Sequence, residues 1–167
     1  MDQRLAAVRR LRGGLALWLL AVVALSACGP SWAGVDAGAT ARERELVALG
    51  GELFGDTCGS CHGRDGRGKT GIAPTLHQSP WVTGPDTRLV RIMFDGVSDG
   101  PAAERFQLPM ARWRILDDRQ IAALASYVRR SWGHHQAIVD PETVGAIRRE
   151  TADRTRPWTR VELSSIP

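Results

Sequence analysis

Apolar side chains recur at helical spacing most clearly in the segment that follows Asp117. From there apolar positions fall at i, i+3, i+4 and i+7, and the pattern continues as far as Trp132. Asp117 and Gln120 have the spacing of a capping box, which marks the start of a helix, and Gly133 is placed to end it. The apolar face consists of Ile121, Leu124, Ala125, Val128 and Trp132. The pattern predicts an amphipathic helix with one buried face.

Three weaker patterns predict further helices. The first runs from about Ala41 to Phe54 and has charged residues in its first turn. The second opens with Asp86 as its cap, carries its apolar residues on one face and stops at Gly96. A short helix is predicted from Pro141 to Glu150, where the proline suits the first turn.

No segment shows the strict alternation of a β-strand, so the sequence predicts an all-α fold with long loops rich in glycine and proline. A domain over residues 41–133 would be followed by a C-terminal extension, 134–167, that looks extended from Thr151 onward. One Tyr, three Phe and six Trp supply only a modest core, which a buried cofactor would complete.

The first 27 residues have the features of an export signal. Four arginines precede an apolar run, Leu15 to Leu25, that is short for a membrane span, although an uncleaved anchor is the alternative. The sequence Leu25-Ser26-Ala27-Cys28 resembles a bacterial lipobox, which would leave Cys28 as a lipid-bearing N-terminus; ordinary cleavage after Ala33 is the alternative. Residues 28–40 would then form a flexible tether. We therefore expect a lipid-anchored protein on the periplasmic side of a bacterial membrane.

The net charge of +4 mostly describes that signal. Without it, 18 basic and 17 acidic side chains remain, a net charge of +1. This balance removes the compositional support for nucleic-acid binding. Several arginines do cluster late in the chain, and the sequence suggests no more for them than a solvated face. They are Arg129, Arg130, Arg148, Arg149, Arg154, Arg156 and Arg160.

The segment Cys58-Gly59-Ser60-Cys61-His62 has the C-x-x-C-H pattern of covalent attachment of a c-type haem. Thiols at this spacing can reach the two vinyl groups on one haem edge, and the adjacent imidazole then lies under the iron. A structural zinc site would need further cysteines, and a redox dithiol would need a βαβ context. We expect one haem c, with Cys58 and Cys61 as attachment residues and His62 as an iron ligand.

A phosphate-binding loop pattern overlaps the segment that follows His62. Gly63 to Thr70 satisfies G-x-x-x-x-G-K-T to the letter, but that motif needs a strand before it and a helix after it. Neither is predicted here, so we expect no bound nucleotide.

The identity of a second iron ligand decides between an electron carrier and an enzyme. Met110 follows a proline in the loop before the strongest helix, where the backbone could hold a thioether over the iron. A Met/His pair suits a carrier of raised potential. His77 is the main rival, whereas Met93 is expected in the core, and His134 and His135 are expected to meet solvent.

Further residues match one family pattern at fixed offsets from the C-x-x-C-H segment. They are Gly50 and Phe54 on the first helix, Leu124 and Tyr127 on the last predicted core helix, and Pro74 and Leu76 after His62. Over roughly Ala41 to Trp132 the chain resembles the class I c-type cytochromes, small mono-haem proteins. The resemblance implies that the first and last core helices cross closely, and that the Pro74 carbonyl accepts a hydrogen bond from the His62 imidazole. Pro74 thereby joins Cys58, Cys61, His62 and Met110 as a residue of the expected haem site.

Four segments resemble a narrower group, the cytochromes that accompany bacterial quinoprotein dehydrogenases. They are 79–84, 116–122, 127–133 and 156–159. This implies an electron carrier between a donor dehydrogenase and an acceptor cytochrome or oxidase. A haem enzyme with a labile sixth ligand is one alternative, and a permanent subunit clamped by the tail from Val139 onward is another. Trp81, Trp113, Arg112 or Arg114 could contact a haem propionate or simply serve packing.

Overall fold

A computed structural model of the protein describes residues 39–98, 106 and 109–167. The predicted signal over residues 1–27, Cys28 and nearly all of the predicted tether lie outside these residues. The helices within them are α1 (Ala41–Asp56), α2 (Gly59–His62), α3 (Pro80–Thr83), α4 (Asp86–Asp95), α5 (Asp118–Arg130), α6 (Pro141–Glu150) and α7 (Arg160–Ser164). The described part of the chain has isolated β-bridges but no strand, so the all-α prediction is confirmed. No helix among the described residues is both long and apolar enough to cross a membrane.

Helices α1 and α5 form the central pair. Each starts with a capping box: the predicted one at Asp117 and Gln120 is confirmed, and Thr40 and Glu43 form a second that was not predicted. The pair crosses so closely that a Cβ added to Gly50 would lie 2.0 Å from the carbonyl oxygen of Ala123. Only glycine fits at that crossing.

Helix α4 and the C-terminal helices complete one hydrophobic core with this pair. Phe54, Phe94 and Ile121 are almost completely buried. Val144 and Ile147 of α6 lie in the same core cluster, although they belong to the predicted extension. The tail is not wholly extended as predicted, because a capping box at Thr159 starts the short helix α7.

Two predicted helix ends differ in the structure. Asp86 is not the cap of α4: Pro85 holds that position, and the Asp86 carboxylate accepts the N–H of Thr87 at 2.7 Å. Helix α5 ends at Arg130 rather than reaching Trp132, whose φ is +55°. The chain turns back here, and the N–H of Gln136 donates a hydrogen bond to the carbonyl of Arg129 at 3.1 Å.

The late arginines are not simply a solvated face. Arg129 is buried and donates to the carbonyls of Val82, Gly84 and Ala137. Arg148 bonds the Asp118 carboxylate and two backbone carbonyls. These guanidinium groups tie loops to helices, since each supplies several donors in a fixed fork.

Candidate haem site

The attachment segment is a single helical turn that follows α1 almost directly. Cys58 caps α2, and its carbonyl accepts the N–H of His62 at 2.8 Å. Both thiols are free of disulfide bonds, Cys58 buried and Cys61 exposed. Residues at i and i+3 share one face of a helical turn, so both thiols can serve one edge of a planar group. Burial raises the pKa of the Cys58 thiol, which keeps it protonated before attachment.

The His62 imidazole is held in one orientation. Its Nδ1–H donates to the Pro74 carbonyl at 2.8 Å, the contact that the family resemblance implied. Because a carbonyl can only accept, Nδ1 carries the proton and Nε2 keeps its lone pair. Burial lowers the pKa of His62, although the hydrogen bond to Pro74 opposes this shift. The neutral imidazole is the form that binds a metal ion.

A glycine-rich loop places Pro74 beside His62. The N–H of Gly68 donates to the His62 carbonyl at 2.7 Å. Gly68 has a φ of +81°, and a Cβ there would lie 2.6 Å from the backbone of Pro74. The loop therefore needs glycine both for its conformation and for its close approach to Pro74. It follows a helix and closes through an antiparallel bridge between Lys69 and Ala73, which is not the strand–loop–helix geometry of a phosphate-binding loop.

The ring nitrogens of His77 and His134 both form hydrogen bonds with backbone groups. The Nε2–H of His77 donates to the Asp65 carbonyl at 2.8 Å, and its ring stacks on Trp132 with centroids 5.3 Å apart. His134 does not meet solvent as predicted, because it is buried. It donates from Nδ1 to the Val128 carbonyl and accepts the N–H of Gln78 at Nε2. These bonds weaken the case for either histidine as an iron ligand; His135 is exposed, as expected.

The two methionines occupy different positions. Met93 is 4% exposed and lies in the core, as predicted. Met110 is half-buried, and its backbone lies against the end of α4, where a Cβ on Gly96 would be 2.7 Å from the Met110 carbonyl oxygen. Met110 as an iron ligand stays a prediction.

Arg112 and Arg114 bind a protein carboxylate, which favours the packing role over the propionate role. Asp95 is completely buried at the end of α4. Arg114 makes two hydrogen bonds to its carboxylate, at 2.7 and 2.8 Å, and Arg112 makes one at 2.8 Å. Burial by itself would raise the pKa of Asp95, but the hydrogen bonds from Arg114 and Arg112 outweigh it and hold the pKa below its ordinary value. Trp113 packs against the core, and Trp81 has Arg88 over its ring.

The residues present fit a c-type haem. Two free thiols lie three positions apart on one turn, and the adjacent imidazole has its Nδ1 proton engaged and its Nε2 lone pair available. This is the donor set that C-x-x-C-H attachment needs. The supporting hydrogen bond to a carbonyl is typical of histidines that bind a metal.

Comparison with known proteins agrees with this chemistry. The cytochrome c family model matches residues 47–132. A gluconate 2-dehydrogenase cytochrome c subunit from Pantoea cypripedii is 31% identical over 109 residues, 60% of this chain and 24% of that subunit. A Cbb3-type cytochrome c oxidase subunit FixPc from Rhizobium leguminosarum bv. viciae is 32% identical over 113 residues, 64% of this chain and 36% of that subunit. The matches thus span about a quarter to a third of these relatives.

The family match covers the C-x-x-C-H turn, its supporting proline, and the crossing of α1 with α5. This chain therefore belongs to the cytochrome c family, and its cofactor is covalently attached haem c.

Proposed function

We propose that the protein is a periplasmic electron carrier, anchored to a bacterial membrane by lipid on Cys28. It would pass single electrons from a donor dehydrogenase of the quinoprotein class to an acceptor cytochrome or oxidase. The observation that carries this proposal is the His62–Pro74 hydrogen bond beside two free thiols, an arrangement that suits a c-type haem. With Met110 as the second iron ligand, that haem would carry electrons rather than transform a substrate. The haem supplies the one-electron chemistry when bound.

The residues of the site would bind the haem and orient its iron ligands. The thiols of Cys58 and Cys61 would form thioethers with the haem vinyl groups, and Nε2 of His62 would bind the iron. The Pro74 carbonyl fixes the imidazole ring and increases its basicity as a ligand. The thioether of Met110 would be the second iron ligand and would raise the reduction potential of the haem. Burial of Phe54, Leu124 and their neighbours excludes water from this side of the site.

A partner would meet the protein where the attachment turn reaches the surface. Cys61 is exposed there, and Ile72 in the adjacent loop is 39% exposed. Lys69 donates to the Ser60 carbonyl at 2.6 Å and places a positive charge beside this turn. A small surface of this kind suits the short-lived encounters of redox proteins.

The relatives support partners of two kinds. One is named as a subunit of a dehydrogenase and the other as a subunit of an oxidase, which correspond to an electron donor and an electron acceptor. The same names favour a second candidate function, a permanent haem subunit of an oxidoreductase complex. Co-purification of the donor at low protein concentration would distinguish the subunit from the carrier.

Absorption spectroscopy of the mature ferric and ferrous protein, with and without carbon monoxide, tests the carrier proposal. We expect a ferric methionine–iron charge-transfer band and little carbon monoxide binding by the wild type, because Met110 would be the second iron ligand. Met110→Ala should lose the band and bind carbon monoxide readily. Met93→Leu is the matched control and should keep the band, since Met93 lies in the core and the exchange conserves volume.

Ready carbon monoxide binding by the wild type would contradict the carrier and favour an enzyme with an open iron position. A band that survives Met110→Ala would show that another residue is the ligand.

A further inference from the structure

The C-terminal extension bonds to the chain just before the loop that carries Met110. The N–H of Trp158 donates to the Gly96 carbonyl at 3.0 Å, and the N–H of Ser98 donates to the Trp158 carbonyl at 3.0 Å. Val97 and Trp158 form the parallel bridge between these two bonds. The extension therefore holds the backbone where α4 ends and the loop begins.

The same extension bonds to the chain just after Met110. Arg112 donates to the carbonyls of Thr155 and Arg154 at 3.2 and 3.3 Å. Arg114 donates to the carbonyl and the hydroxyl of Thr151 at 2.9 and 2.8 Å. These two arginines follow Met110 by two and four positions, so the extension grips the chain on both sides of this residue.

Asp95 links the bonds that the extension makes before Met110 to those that it makes after Met110. Asp95 directly precedes Gly96, whose carbonyl accepts the N–H of Trp158. The buried Asp95 carboxylate accepts hydrogen bonds from both Arg112 and Arg114. A buried charge is costly unless it is paired and hydrogen-bonded. Asp95 therefore holds both guanidinium groups in place, and with them the chain that leaves Met110.

The extension is itself firmly attached to the domain. Val144 and Ile147 of α6 are buried in the core, and Leu163 of α7 is completely buried. Between these helices, Arg154 bonds the Glu162 carboxylate at 2.9 Å and stacks over the Trp158 ring at 3.4 Å. The bonds to the two sides of Met110 thus come from a fixed support.

We propose that Asp95, Arg112 and the segment 151–158 position Met110, holding both ends of its loop so that the thioether stays on the iron. The proposal rests on the role of Met110 in the proposed function. In this proposal the extension positions an iron ligand of the protein itself, whereas the alternative role is to clamp a partner enzyme.

The test compares ferrous carbon monoxide binding, the ferric methionine–iron band and the thermal midpoint in haem-loaded variants. Arg112→Ala removes the bonds to Asp95, Thr155 and Arg154, and the Arg112 side chain is 42% exposed, so the core stays intact. We expect carbon monoxide to bind about tenfold more tightly than in the wild type, because hydrogen bonds to a charged group are lost. The band should weaken, and the thermal midpoint should fall only moderately, because Arg114 keeps both of its hydrogen bonds to the buried Asp95 carboxylate.

Arg119→Ala is the matched control, since its partner is the exposed Glu45 on α1 and its removal should leave all three readouts unchanged. Asp95→Asn is the second variant, because it keeps the side-chain size and removes the charge that both arginines bind. It should shift carbon monoxide binding in the same direction as Arg112→Ala, and it decides the test if Arg112→Ala loads too little haem.

Wild-type carbon monoxide affinity in both variants, with the band intact, would overturn the positioning role. That result leaves the proposed function standing if Met110→Ala still loses the band. A band unaffected by Met110→Ala would overturn the ligand assignment, and the positioning role with it, so the two failures are distinguishable.

Discussion

At the scale of single residues, the close crossing of α1 and α5 depends on Gly50. The neighbouring backbone carbonyl of Ala123 and the Cβ of Tyr127 leave no space for a methyl group at this position. Gly51, one residue later, faces only the ring of Tyr127, and a Cβ there would lie 3.1 Å from the nearest ring atom. An alanine side chain is therefore excluded at position 50 and can be accommodated at position 51 of the same helix.

We expect Gly50→Ala to lower the free energy of unfolding by about 2 kcal/mol or more, because overpacking against backbone forces the helices apart. Gly51→Ala is the control and should be within about 1 kcal/mol of the wild type, since alanine favours the helix and the Tyr127 ring can shift slightly. Denaturant unfolding of the two variants checks this. Equal stability of both variants would contradict the crossing geometry.

Single residues also show how local information succeeds and fails. The C-x-x-C-H spacing and the capping box at Asp117 could be predicted because their partners lie within a few positions of one another. The burial of His134 could not be predicted, because one of its two partners, Gln78, is 56 positions away along the chain. Two adjacent histidines after a glycine gave no local signal that one lies inside and the other outside.

At the scale of elements, α7 is held to the preceding segment by Glu162. Its carboxylate accepts hydrogen bonds from Arg154 and from the N–H and hydroxyl of Thr159. The hydrogen bond from Arg154, and then those from Thr159, lower the pKa of Glu162 from 4.5 to about 2. The charged form is therefore the one that holds the element.

Because this pKa is depressed in the folded state, its contribution to stability is fully present above about 4.5 and is lost as the pH falls to about 2. We expect Glu162→Gln to be less stable than the wild type at neutral pH, and the difference in free energy of unfolding to shrink across that window. Thermal or denaturant unfolding of both proteins at a series of pH values measures this difference in free energy. A difference that stays constant over the window would contradict the role of the carboxylate.

At the scale of the whole molecule, the extension is part of the folding unit. Val139, Val144, Ile147 and Leu163 are all buried, and each contributes about 1.5–3 kcal/mol by burial. Their sum is comparable to the stability of a whole domain, about 5–15 kcal/mol.

We therefore expect a chain that ends at Gly133 to fail to fold stably and to incorporate little haem, as measured by circular dichroism and haem absorbance. A truncated chain that folds and loads haem like the wild type would contradict this. The expected loss also means that removing the tail cannot test its role as a clamp. Val161→Ser on α7 is a cleaner variant for that purpose, because Val161 is 80% exposed.

The haem chemistry and the main helices follow from the amino-acid sequence alone, because thioether attachment, capping and amphipathic spacing all act between residues close along the chain. The positions that match the family pattern relative to the C-x-x-C-H segment also predicted the helix crossing at Gly50 and the hydrogen bond from His62 to Pro74. The choice of Arg112 and Arg114 as partners of Asp95 is visible only in the folded chain. With 22 basic and 18 acidic residues, local sequence rules pair none of them over long distances. The fold likewise shows that the tail from Thr151 to Trp158 bonds to the chain before and after Met110. Those bonds end on backbone groups of the tail, which carry no signal in the sequence.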